Sequence, residues 1–240
     1  MFKTLFENIS PQKFYYFSSK IIPWAFLISF LFIGYGLYLG LFVAPLDYQQ
    51  GDAFRIIYVH VPSAWLSLFA YSAVFVCSII ALIWKIKVFE ILTIASAKNG
   101  ALFTFLALIT GSIWGKPMWG TWWVWDARLT SMVVLLFFYI LFISAQKMIK
   151  DKDKANKISG LVAIVGLINI PIIKYSVDWW STLHQPQSIN LLNGSSSIHS
   201  SMLMPLILML FVLLSYCALI FLMKYKTEII RIKKKNLKRL

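Results

Sequence analysis

The chain is short of charge, of cysteine and of histidine. Charged residues make up 13% of its 240 positions, and only nine of them are acidic. An ordinary soluble domain carries about 25% charged residues, so too little polar surface is present to coat a water-soluble globule. That excludes a soluble enzyme, and a hydrophobic content of 60% excludes disorder. The two cysteines, Cys77 and Cys217, each fall within a long apolar run, where a small buried hydrophobe is the expected role. No C-x-x-C-H occurs, so the chain attaches no covalent c-type haem to itself. The nearest approach to a phosphate loop is Gly111-Ser-Ile-Trp-Gly115-Lys116-Pro117. It lacks one spacer residue and the Ser or Thr that binds magnesium, so any nucleotide is hydrolysed by another subunit. No paired carboxylate or nucleophile–base arrangement is visible, and no turnover chemistry is expected.

What the chain has is apolar runs from end to end, with a mean hydropathy of +0.75. Six are long enough to cross a hydrocarbon core: roughly Ile22–Val43, Pro62–Trp84, Asn99–Trp114, Leu129–Gln146, Ile158–Lys174 and Met202–Met223. The fold expected is an all-α polytopic membrane protein, a bundle of six transmembrane helices. Residues 1–224 form its single domain and residues 225–240 a basic tail. The first run is too long and too weakly punctuated for a cleaved signal peptide, so it is kept as a helix. Phe14, Tyr15, Tyr16 and Phe17 before it, among lysines, read as an interfacial segment on the inner face. The net charge of +14 needs no nucleic acid. Alternate hydrophilic segments hold nineteen basic residues against four in the others, which is the positive-inside pattern. Both termini then face the cytoplasm or matrix, in a bacterial or mitochondrial inner membrane, and the tail rests on anionic lipid.

The three outer connections share an unusual content. All three histidines lie there, His60, His184 and His199, with seven of the ten tryptophans. At the span ends, Trp24, Trp65 and Trp84 fit an aromatic belt. Trp114, Trp119, Trp122, Trp123 and Trp125 are crowded into one segment, whereas a belt needs rings spread around the circumference. They read instead as an apolar platform at the membrane surface, on which a flat, partly anionic ligand stacks. If the segment is helical, Trp119 and Trp123 share a face, as do Trp122 and Trp125. His199 reads as a solvated side chain. His60 and His184 each stand two residues before a proline, Pro62 and Pro186, which restricts the backbone around them. Pro62 also suits the first turn of the second helix. Two imidazoles beside a Trp platform suit a planar metal macrocycle with two free axial positions. Copper stays open, while zinc would want thiolates that the outside lacks. Arg55 and Arg128 are candidates to pair with carboxylates of such a ligand. Arg128 could equally pair with Asp126 or snorkel at a helix end, and Asp126 most simply caps the fourth helix.

Trp119-Gly120-Thr121-Trp122-Trp123-Val124-Trp125-Asp126 resembles the W-G-x-x-W-x-W-D motif of the haem-handling family of cytochrome c maturation. Within it the chain is similar to the CcmC, or haem exporter protein C, branch over essentially its whole length. The resemblance implies haem b held non-covalently at the outer face, with His60 and His184 as axial ligands of the iron. It implies that the segment from Trp114 to Arg128 binds the haem edge and docks the haem chaperone CcmE. The haem-binding set is then Trp114, Trp119, Gly120, Trp122, Trp123, Trp125, Asp126, Arg128 and Arg55. CcmA, the ATPase, with CcmB and CcmD, are the implied partners in an ABC-type complex. Larger relatives that attach haem to apocytochrome carry further histidines within their spans, which this chain lacks. A b-type electron-transfer subunit and a solute transporter are the alternatives. The first expects ligands inside helices. The second expects broken helices near the midplane, for which Asn169-Ile170-Pro171 is the one sign. Ligand exchange is expected to ease below about pH 6.5, where free imidazole protonates.

Overall fold

The computed structural model describes residues 11–180, 182–185, 188–190 and 195–237. The expectations resting on Pro186, on residues 1–10 and on the last basic residues, Lys238 and Arg239, lie outside that range. Helix α1 (Pro11–Tyr38) passes directly into a π-helical turn, Leu39–Val43, and a 3-10 turn, Asp52–Ile56, leads into α2 (Ile57–Trp84). Then come α3 (Lys87–Trp119), α4 (Ala127–Met148), α5 (Lys152–Leu167), α6 (Asn169–Trp179) and α7 (Ser200–Leu237). The one sheet among the described residues is a two-residue antiparallel pair before α7, β1 (Ile189–Asn190) with β2 (Ser195–Ser196). Six helical stretches are long and apolar enough to cross a membrane, α5 and α6 together making one of them. The protein is an all-α polytopic integral membrane protein.

Each expected span lies within one of these helical stretches, the fifth divided between α5 and α6, but the stretches run further. Hydropathy marks the hydrocarbon slab, whereas a helix continues until a local signal ends it. Helix α2 stops at Lys85, in the left-handed conformation (φ 53°), and α3 stops at Gly120 (φ 76°). Asp151 starts α5, its carboxylate accepting from the Asp153 and Lys154 amides. Three expectations change as a result. Phe14 to Phe17 belong to α1, continuous with the first span, rather than to a separate surface segment. Pro62 lies inside α2, not in its first turn. The basic tail is helical through Leu237, so α7 is about 57 Å long at 1.5 Å per residue, well beyond a bilayer of about 40–45 Å.

The fifth span bends at Ile168 because Pro171 has no amide hydrogen for the Leu167 carbonyl four residues back. Asn169 is not left open there. Its amide donates to the Ser131 carbonyl on α4 at 2.8 Å, so it ties two helices together rather than lining a path.

Helices α2, α3, α4 and α5 surround a core containing Tyr71, Val74, Ala97, Ala107, Leu135, Tyr139, Phe142 and Ala163. Its two tyrosines meet edge to face, ring centres 5.0 Å apart. Tyr139 donates to the Ser67 carbonyl at 2.6 Å and Tyr71 to the Val162 carbonyl at 2.9 Å. These bonds engage hydroxyls that would be costly to leave bare in lipid. Gly100 lets α3 and α4 approach, since a Cβ there would overlap the Tyr139 ring. Helix α1 packs chiefly along α7 and turns Phe26 and Phe30 outward, as a lipid-facing helix should. Cys77 is buried and Cys217 half-buried, both free, in keeping with their expected packing role.

The polar groups divide between the two ends. At one, Lys87 bridges Glu90 (2.7 Å) and Glu228 (3.7 Å), and Gln146 donates to Asn156 and Ser159. This lysine end unites connections that the charge pattern assigned to one side. The three histidines lie in segments that the same pattern assigned to the other.

Candidate functional site

His60 was expected in a connection, but it sits in the first turn of α2, facing α3. Its Nδ1 lies 3.1 Å from the Thr110 hydroxyl, which itself donates to the Leu106 carbonyl at 2.6 Å. Gly111 leaves the space the ring occupies, as a Cβ there would come within 3.1 Å of His60 Cε1. His184 arrives from the connection between α6 and α7. The two imidazole centres are 6.3 Å apart with the rings inclined by 34°. His184 Nδ1 is 2.9 Å from the Gln185 carbonyl and 3.3 Å from Arg128 Nη1. Burial lowers the His184 pKa to about 4, the Arg128 guanidinium adds to the effect, and the Gln185 carbonyl opposes it. His184 is therefore neutral at pH 7, the state in which imidazole ligates a metal.

Trp114, on the last turns of α3, stands beside this pair. Its ring centre is 6.3 Å from that of His184, and Trp119 meets it edge to face at 5.1 Å. The Trp114 indole N–H donates to Gln50 Oε1 at 2.9 Å, while Gln50 Nε2 donates to Gln185 Oε1 at 3.1 Å. Two imidazoles, two indoles and two amides thus join three separate segments at a single place. Among the described residues no three His, Cys, Asp or Glu side chains gather as a metal cluster. Two nitrogen ligands suit an iron that brings its own four equatorial nitrogens better than they suit a bare ion.

A family model described as heme exporter protein C, CcmC, matches residues 4–240. The chain belongs to the CcmC family. Among curated relatives, heme exporter protein C of Haemophilus influenzae is 42% identical over 231 residues, covering 96% of this chain and 94% of that one. The Escherichia coli K12 protein of the same name is 42% identical over 236 residues, or 98% and 95% of the two chains. A putative cytochrome c biosynthesis ccmC-like mitochondrial protein of Marchantia polymorpha is 51% identical over 172 residues, 72% of each.

In this CcmC-family chain the tryptophan segment is not one helix. Trp119 is the last residue of α3, and Gly120 turns the chain with its N–H on the Lys116 carbonyl at 3.1 Å. Only glycine adopts that positive φ without strain, so the turn is the structural role of Gly120. The face shared by Trp119 and Trp123 therefore does not form. The ring pairs present are Trp114 with Trp119 and Trp123 with Trp125, the latter at 5.4 Å. Trp122 and Trp125 are exposed, 55% and 75%. Asp126 caps α4, Oδ1 accepting from the Leu129 amide at 2.7 Å. Its Oδ2, the Trp123 indole N–H and the Thr182 hydroxyl are buried with no hydrogen-bond partner among the described residues. Buried polar atoms are normally satisfied, so each of the three can take a further polar partner.

Each arginine has partners within the protein. Arg128 donates through Nε to Ser176, through Nη2 to the Lys174 carbonyl, and through Nη1 towards His184. Its hydrogen bonds lie in the surroundings of His184, and Asp126 acts on it only as a nearby charge. Arg55 pairs with Asp52 at 2.8 Å and reaches the Gly40 carbonyl at 3.4 Å. His199 is exposed at the start of α7, its Nδ1 by the Ser201 hydroxyl at 2.8 Å. Sequence reasoning passed over Thr110, Gly111, Gln50 and Ser176. Thr110 alone left a sign, as a hydroxyl one helical turn before Trp114.

Proposed function

We propose that the protein holds haem b non-covalently at the outer face of the membrane and delivers it to the haem chaperone CcmE for cytochrome c maturation. His60 and His184 are its axial ligands. The observation that carries this is the 6.3 Å between their ring centres. A metal–imidazole bond of about 2 Å on each side, plus about 1 Å from ring nitrogen to ring centre, spans about 6 Å. Bound haem supplies an iron whose two axial positions accept neutral imidazoles. Trp114 and Trp119 border the pair. Gly120, Trp122, Trp123, Trp125 and Asp126 form the segment that meets the haem edge and the chaperone, the exposed Trp122 and Trp125 being suited to a partner. Arg55 is the arginine assigned to a propionate. Its present partner, Asp52, is 82% exposed, and so exposed a pair is worth about 0–1 kcal/mol and exchanges readily. CcmB, CcmD and the ATPase CcmA complete the complex, with both termini on the cytoplasmic or matrix side.

The placement of His60 in a helix removes one argument against a b-type electron-transfer subunit. His184, in a connection, retains the other, and Asn169 no longer favours a transporter. The deciding experiment is an absorption spectrum of the purified protein beside its His60→Ala/His184→Ala variant. A low-spin haem spectrum that the double variant loses is expected. A colourless wild type made with ample haem, or an unchanged double variant, overturns the reading.

A further inference from the structure

The two imidazoles are held differently. A threonine hydroxyl has one proton, and that of Thr110 goes to the Leu106 carbonyl at 2.6 Å. Towards His60 it can only accept, so the 3.1 Å contact places the imidazole proton on Nδ1. Nε2 of His60 is then the bare nitrogen, and Gly111, lacking a side chain, leaves the room in which the ring lies against α3. A ligating histidine whose second nitrogen is held in this way has both its tautomer and its orientation set. His184 has no such arrangement. The Gln185 carbonyl at 2.9 Å demands a proton on Nδ1, whereas the Arg128 guanidinium at 3.3 Å can only donate and demands a lone pair there. One demand leaves Nε2 free for a metal and the other protonates it. His60 sits on a spanning helix clamped by a second one, while His184 sits on a connection.

Resting on the haem-binding reading above, we propose that His60 is the anchored ligand and His184 the exchangeable one, with Thr110 the positioning residue that makes the difference. His60 would then stay on a bound haem, and His184 would be the imidazole that an incoming ligand of the acceptor replaces.

The test begins with 15N-histidine NMR of the haem-free protein, which judges Thr110 whether or not haem binds. The wild type and Thr110→Ser, which keeps the hydroxyl, are expected to hold His60 as the Nδ1–H tautomer, and Thr110→Val to mix the two. A wild-type His60 carrying its proton on Nε2 overturns the proposal, as does Thr110→Ser behaving like Thr110→Val. In the haem-loaded protein, His184→Ala is expected to keep most of its haem as a high-spin species that added imidazole returns to low spin. His60→Ala is expected to lose haem at least tenfold faster. Equal loss from both variants, or faster loss from His184→Ala, overturns the order of release. A wild type that binds no haem sinks the haem-binding reading and the order of release with it, whereas a failed NMR result on Thr110 in a haem-binding wild type overturns the proposal and leaves that reading standing.

Discussion

A buried imidazole resists protonation, and at His184 burial is the larger cause, with the Arg128 guanidinium beside it the smaller. The folded pKa of about 4 lies below the ordinary value of about 6.5. Between those values the unfolded chain takes up a proton that the folded chain declines. The stability of the haem-free protein therefore falls as the pH drops through that window, and this contribution is level above it. Thermal unfolding in detergent between pH 7.5 and 4.5 checks this. The wild type should lose more of its melting temperature than His184→Asn, and parallel curves would count against a neutral, buried His184. The expectation that ligand exchange eases below about pH 6.5 shifts accordingly towards pH 4. The sequence identified both histidines, yet it could not supply their surroundings. The charge beside His184 comes from Arg128, which is positioned by Ser176 and Lys174 from a helix 46 to 48 residues further on. Asp126 was legible as a cap because capping is local, involving only the amide three residues ahead.

At the level of helices, close approach is set by small residues, and two glycines give opposite expectations. Tyr139 cannot swing away from Gly100, since its hydroxyl is fixed to the Ser67 carbonyl across the bundle. Gly100→Ala is expected to cost about 1–3 kcal/mol through overpacking. Gly34, also within a helix, has nothing within 4 Å of its would-be Cβ. Gly34→Ala should be neutral or stabilising by up to about 1 kcal/mol. Melting temperatures of the two variants in detergent check both, and equal effects would contradict the packing described. The existence of every span was readable from apolar runs because lipid leaves a helix few alternatives. Their ends were not, since the ends are set by Lys85, Gly120 and Asp151, which lie outside the hydrophobic count. The tryptophan segment was misread as a possible helix for the same reason: its hydrophobicity is high on both sides of Gly120, while the turn depends on one backbone angle.

For the whole molecule, the charge pattern predicts which end faces which compartment. Nineteen basic residues fall in alternate segments, and Lys87, Glu90 and Glu228 from two of those segments meet at one end. Ser196→Cys, in the exposed β2 strand, should react with a membrane-impermeant maleimide added to intact cells. Lys150→Cys, between α4 and α5, should react only after permeabilisation. The reverse pattern would place the histidines on the inside and end the proposed delivery to an outer-face chaperone. Fold class could be read from composition because it follows from solvation of many residues at once. The meeting of His60, His184 and Trp114 could not, because it depends on how three distant segments pack.

Gln50 bonds to an indole with one end of its amide and to Gln185 with the other. A pull on the last connection at Gln185 would therefore reach, through that one glutamine, the Trp114 ring beside His184. If the proposed delivery holds, the segment a chaperone would grip and the wall of the ligand's seat share a single tether.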